Sequence, residues 1–222
     1  MDSLVSINGN HIQTLEVLFL TTMIALLPSL LVMMTSFTRY VISLSFLRTA
    51  MGTQQSPPNM VLVGIALFLT MFTMAPTFTA IQKDAYEPYV AEEIGQKEFL
   101  DRAQVPLKEF MIRNTRTGTL EMYCELSDTP MPQNVSVQTV AKLPLRIIVP
   151  SFLTCELQRA FEIGFLLYLP FMLIDIIVSS TLMSMGMIML PPAMISMPFK
   201  LLLFVTMNGW ELLFSSLVQS FH

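Results

Sequence analysis

Residues 150–185 read PSFLTCELQRAFEIGFLLYLPFMLIDIIVSSTLMSM, and Gly186 follows. Only Glu156, Arg159, Glu162 and Asp175 carry charge in this stretch. It reads as one long apolar helix that the glycine ends. Pro191 and Pro192 open a second apolar segment that runs to about residue 219, with Lys200 and Glu211 as its charges. Upstream, residues 15–82 hold only Glu16, Arg39 and Arg48. Nearly all remaining charges lie between Lys83 and Arg146. The chain therefore has two apolar blocks around a polar insert. Only 13% of its 222 residues are charged, against about a quarter in an ordinary soluble domain. Apolar blocks of this length cannot be hidden in so small a soluble core, and burial in a bilayer explains them.

Residues 14–49 exceed one span of roughly 20 residues. Pro28 should kink this segment, since proline removes a helix donor and clashes with the preceding turn. The polar run TSFTR (35–39) interrupts it, and GTQQSPP (52–58) is a turn. Asn59 is placed to cap the next apolar helix, residues 60–81. In the insert, Pro106 suits the first turn of a helix. Leu107, Phe110 and Met111 follow at helical spacing, with Glu109 and Arg113 one turn apart. Leu120, Tyr123 and Cys124 mark a second short amphipathic helix. Residues 127–140, with Pro130 and Pro132, read as loop, and no run in the insert alternates as a strand does.

The expected fold is all-α and of membrane-protein type. Residues 1–13 form a tail, 14–82 a first apolar helical hairpin, 83–146 a small helical polar insert, and 147–222 a second hairpin with a Met-rich loop. Each block has a long helix, a Pro-Pro-x-Met turn (57–60 and 191–194) and a shorter helix. That layout fits either a faint internal repeat or chance. Arg39 and Arg48 flank the first turn and would hold it in the cytoplasm, putting the insert and both termini outside. The first residues carry Asp2 and no Lys or Arg, so a cleavable signal peptide is not expected and the first block reads as retained.

Enzymatic chemistry finds no footing. The only histidines are His11 and His222, there is no GxSxG, and phosphate-cradling GxxxxGK[ST] and GxGxxG are absent. Cys124 and Cys155 make no CxxC or zinc spacing and read as packing residues. No metal or cofactor is implied. A net charge of −4 without a basic stripe argues against nucleic acid.

Two constellations remain. Glu156, Arg159, Glu162, Asp175 and Lys200 are costly in lipid, so each should face protein or water and find a partner. Glu156, Arg159 and Glu162 follow at three-residue spacing on one helix face. The block has a negative excess, and Lys200 is its remaining cation, which suggests a Glu156–Lys200 pair, either within the chain or across a subunit boundary. Equally, these charges fit helix ends that reach the headgroups. Asp175, near mid-segment and short, suits that alternative least. The other constellation is Met183, Met185, Met187, Met189, Met194 and Met197, part of a total of 19 methionines. Flexible thioethers around a turn can seal a pore yet yield to a passing chain. They can also simply fill a core or face lipid.

The motifs TSFTR (35–39), LRTAMGT (47–53), SPPN (56–59), LPLR (143–146), PSFLTCEL (150–157), AFEIG (160–164), PFMLID (170–175), MGMIMLPP (185–192), PFK (198–200) and NGW (208–210) resemble the FliP family over about residues 15–221. The resemblance implies a core subunit of the flagellar type III export gate. Several copies would assemble with FliQ-like and FliR-like membrane subunits into an oligomeric helical complex. That complex would stand in the inner membrane at the flagellar basal body, protruding to the periplasmic side, with membrane lipid around it. Unfolded flagellar proteins would thread through its centre. The family's Met-rich constriction maps onto Met185, Met187 and Met189, with Ile188 where many members carry another Met. The family's buried charge pair maps onto Glu156 and Lys200. Apparent spans could then be buried against neighbouring subunits rather than lipid.

Three other readings stand beside this one. An injectisome paralogue shares most motifs. A small-solute transporter would need more spans and polar groups at broken helices near the midplane. An assembly scaffold without a gate would leave the methionines without effect on ion leak.

Overall fold

The computed structural model describes residues 5–7, 10–12, 14–53, 55–132, 139, 142–187 and 189–221. Within the N-terminal tail, β1 (Val5–Ile7) and β2 (Asn10–Ile12) pair antiparallel, with Ser6 opposite His11. The other elements described are helical.

The first block opens with α1 (Thr14–Met33), which continues through Pro28. The chain then breaks at residues 34–36, as the polar run there suggests, and restarts as α2 (Phe37–Ala50). Arg39, Tyr40, Ser43, Leu44, Leu47 and Ala50 are buried, a stripe at three- and four-residue spacing that faces the core. Helix α3 (Asn59–Thr73) packs beside α2. Its cap position falls on Pro58, not Asn59, and no side chain caps it. Asn59 instead accepts a hydrogen bond through Oδ1 from Arg48 Nη1.

The expected helix over 60–81 is not continuous. It bends by 61° at Met74 into α4 (Ala75–Ile81), a π-helical turn (Gln82–Tyr86) and α5 (Glu87–Val90). Pro76 supplies the reason. Proline is at home in the first turn of a new helix but cannot donate to the turn behind it.

In the insert, α6 (Gln96–Arg113) starts well before the expected point, so Pro106 lies inside it rather than in its first turn. The run 96–104 is rich in good helix formers, and their summed propensity outweighs one missing donor. Helix α7 (Thr117–Leu126) follows. Met111, Leu120 and Cys124 are buried together with Met34, Leu143, Ile147, Ile148 and Phe152, and Leu107, Phe110 and Tyr123 pack around them. Both amphipathic readings thus hold. Part of the expected loop, residues 133–138 and 140, lies outside the described residues.

Helix α8 (Leu145–Ser184) is 40 residues long, or about 60 Å at 1.5 Å per residue. That is roughly twice the thickness of a bilayer's hydrocarbon core. Gly186 ends it through a left-handed turn, φ +72°. The Gly186 N–H donates to Met183 O at 3.0 Å and the Met187 N–H to Leu182 O at 3.0 Å, which closes a Schellman cap.

Helix α9 (Pro192–Thr206) returns along α8. The expected segment 191–219 then breaks too, bending by 66° into α10 (Gly209–Gln219). Asn208 takes φ +50°, ψ +46°, a conformation asparagine tolerates better than most residues. Gly209 has no side chain where the Phe204 ring sits, since a Cβ there would lie 2.3 Å from it.

A second core joins α2, α3, α8, α9 and α10 through Tyr40, Leu44, Leu47, Leu62, Phe171, Phe204 and Leu217. Among the described residues, α8 alone is long and apolar enough to cross a membrane. Two bent pairs, α3 with residues 75–90 and α9 with α10, would also qualify if each counts as one span.

Candidate functional site

A buried ion pair joins α2 to α8. Arg39 Nε donates to Glu156 Oε2 at 2.7 Å, and Nη2 donates to Oε1. Both side chains are fully buried. The remaining Nη1 donates to Ser220 O at 2.9 Å and to Ser220 Oγ at 2.7 Å. The guanidinium lies 3.4 Å from the centre of the Phe221 ring, close enough for cation–π attraction. One side chain from the start of α2 thus holds the N-terminal third of α8 and the chain's last described turn. Two-toothed arginine–carboxylate contact is among the stronger charge-assisted arrangements.

Within one copy Glu156 and Lys200 do not pair with each other, because each has another partner. Lys200 Nζ donates to Asp175 Oδ2 at 2.6 Å and to Ala50 O at 3.1 Å. Ser196 Oγ donates to Asp175 Oδ1 at 2.6 Å. The lysine side chain is 7% exposed and the aspartate 37%. Asp175 therefore finds its partners on α9, and Lys200 also satisfies a carbonyl at the C-terminal end of α2.

Arg159 and Glu162 look toward the insert. Arg159 Nη1 donates to Asn114 Oδ1 at 3.4 Å. Glu162 Oε1 accepts from Gln158 Nε2 at 2.9 Å and from Arg116 Nη2 at 3.3 Å. The Arg116 and Glu162 side chains are about half exposed, so this pair adds little stability.

The residue that sequence reasoning missed as a partner is Arg39. The signal was present, because a negative excess in the second block requires a cation from elsewhere. Asp175 and Lys200 were also legible as a pair. They sit at nearly equal distances from the Met-rich turn, on opposite arms of a hairpin.

That turn joins α8 to α9. Met183 is 71% exposed, Met185 70%, Met187 44% and Met189 95%. Ile188 lies outside the described residues. Exposed apolar side chains also cover the outer faces of α3 (Met60, Phe68, Phe72), α8 (Phe165, Leu166, Leu173) and α9 (Leu202, Val205). Apolar cover on this scale is foreign to a free soluble monomer.

A sequence model of the FliP family matches residues 20–217. The chain is 47% identical over 213 residues to the flagellar biosynthetic protein FliP of Aquifex aeolicus, covering 96% of this chain and 88% of that protein. It is 47% identical over 212 residues to the protein of the same name from Bacillus subtilis, covering 96% and 94%. A third, from Pectobacterium carotovorum, is 46% identical over 217 residues, covering 97% and 82%. On this match along nearly its whole length, the chain belongs to the FliP family.

Proposed function

We propose that several copies of this chain build the channel through which unfolded flagellar proteins cross the inner membrane, with Met185, Met187 and Met189 as its hydrophobic seal. As a FliP-family chain it is a component of the flagellar export apparatus and not an enzyme. FliQ-like and FliR-like subunits complete the gate, and the assembly protrudes to the periplasmic side, with residues 83–146 outside the cytoplasm. The two apolar hairpins contact neighbouring copies and lipid.

The observation that carries the seal is the exposure of those three methionines at a hairpin tip. The Asp175–Lys200 contact fastens the arms below that tip. Unbranched thioethers can repack around a threading chain and close again behind it. A gap lined by them resists ions by excluding water. The apolar faces left bare on α3, α8 and α9 support assembly, since a lone copy leaves them uncovered. The flagellar name of the relatives favours this reading over an injectisome paralogue.

Replacing Met185, Met187 and Met189 together by Ala tests the seal. Membranes holding the variant should leak small ions while the complex keeps its native mass. Unchanged permeability with intact assembly would return these residues to packing and lipid contact.

A further inference from the structure

Around the 66° bend between α9 and α10 lies an apolar slot of about 410 Å³, closed on its far side by α8. Ile163, Leu167 and Phe171 of α8 form one wall, and Phe204 of α9 with Leu213 and Leu217 of α10 forms the other. Both ends of α10 are fixed. At the bend, Asn208 is left-handed and the Phe204 ring lies where a Cβ at Gly209 would be. At the other end, Ser220 O and Oγ accept from Arg39 Nη1 at 2.9 and 2.7 Å. The slot is therefore part of the folded chain.

Among the side chains that line it, only Ser216 and Ser220 are polar, and Ser220 Oγ already donates to Leu217 O and accepts from Arg39. A buried water needs several polar partners, so water is a poor filling. An apolar cavity of about 150 Å³ takes one benzene ring, so this slot has room for roughly sixteen carbons. It runs along α10 from Gly209 to Ser220, about 17 Å at 1.5 Å per residue, which makes it about 5 Å across. That is too narrow for a partner's helix, about 10 Å wide with its side chains, and suits one extended hydrocarbon chain. The rim residues Leu166, Met207 and Leu212 are exposed and apolar. Charges on α8 stop at Glu162 and resume only at Asp175, which Lys200 engages. Residues 163–184 thus form a stretch of about 33 Å, close to the thickness of a bilayer's hydrocarbon core. The α8 wall of the slot lies in the first half of that stretch, so the slot opens onto hydrocarbon.

We infer that this slot binds one acyl chain of a membrane phospholipid. The inference rests on the reading that the bare apolar faces of α3, α8 and α9 meet lipid. The bound chain completes the packing between α8 and α10, and lipid is then a structural part of each copy.

The probe is a phosphatidylcholine with a photoactivatable diazirine midway along one acyl chain. The protein, with its co-expressed partners, is placed in phosphatidylethanolamine–phosphatidylglycerol bilayers doped with that lipid. After illumination, the labelled residues are mapped by mass spectrometry. Lipid that merely surrounds the protein reaches exposed side chains such as Phe68 and Phe165. Phe171, Leu213 and Leu217 are all buried and line the slot, so only a chain inside it reaches them. Label on these three is the expected result. Label on Phe68 and Phe165 without any on the buried three would overturn the slot and leave lipid contact standing. Label on none of the five would overturn both. Ser216→Phe puts a ring in the slot in place of a hydroxyl. Once native mass shows that the variant assembles, it should lose the label on Leu213 and keep that on Phe68. Equal label on Leu213 in the variant would also overturn the site.

Discussion

Lys200 Nζ lies 2.6 Å from Asp175 Oδ2 and so joins the two arms that carry the Met-rich turn. A charge reversal at Lys200 should destabilise the hairpin, and Asp175→Lys should restore Lys200→Glu, whereas Glu156→Lys should not. Asp175 is 37% exposed, so water screens part of the loss. The cost of breaking the pair should fall below the roughly 3–5 kcal/mol typical of a fully buried one. Thermal unfolding of the detergent-purified complex reads this directly. Rescue by Glu156→Lys alone would assign the partner to a neighbouring copy.

Glu156→Gln should cost more, because it leaves the Arg39 guanidinium buried without its counter-charge. A loss of about 3–5 kcal/mol is the usual scale when one member of a buried pair goes. Replacing both, as Arg39→Met with Glu156→Leu, should recover much of it, since two apolar side chains need no partner. If the double variant is as unstable as Glu156→Gln, the contacts of Arg39 with Ser220 and Phe221 matter more than the ion pair.

Gly164→Ala should loosen the α2–α8 crossing. A Cβ at 164 would fall 2.5 Å from the Phe46 ring, and overpacking of this kind costs about 1–3 kcal/mol. Adding Phe46→Leu should restore part of the stability. Unfolding midpoints of the two variants check it, and no improvement in the second would mean that the ring was already free to move.

Leu126→Cys should react with an impermeant thiol reagent applied from the periplasmic side. Leu126 is 74% exposed at the end of α7, while Cys124 and Cys155 are each 1% exposed. Burial, with Glu121 adding to it, pushes the Cys124 thiol above its ordinary value, so little reactive thiolate forms there. The native cysteines should stay unlabelled until the protein is unfolded. Labelling of residue 126 only from the cytoplasmic side would invert the topology.

Local signals in the sequence carried much of the fold. The polar run at 35–39 breaks the first block, Gly186 ends α8, and the spacings around Met111 and Leu120 gave two amphipathic helices. The bends at Met74 and Asn208 leave no mark in the hydropathy, which stays high through both. Their causes, Pro76 and the Asn208-Gly209 step, are backbone effects that apolar periodicity does not register. Pro106 failed in the opposite direction, since a breaker lost to the propensity around it. That charges in apolar helices need partners or a path to the headgroups is legible in the sequence, but which partners they find depends on packing. Arg39 and Glu156 are far apart in sequence and meet only once α2 crosses α8. Counting charges block by block could not join them, whereas hairpin register could have joined Asp175 to Lys200.

The most direct test of the proposed gate is the native mass of this chain, co-expressed with FliQ-like and FliR-like subunits and purified in mild detergent. A discrete complex holding several copies of the chain is the expected result. A lone, folded monomer in the presence of both partners would contradict it.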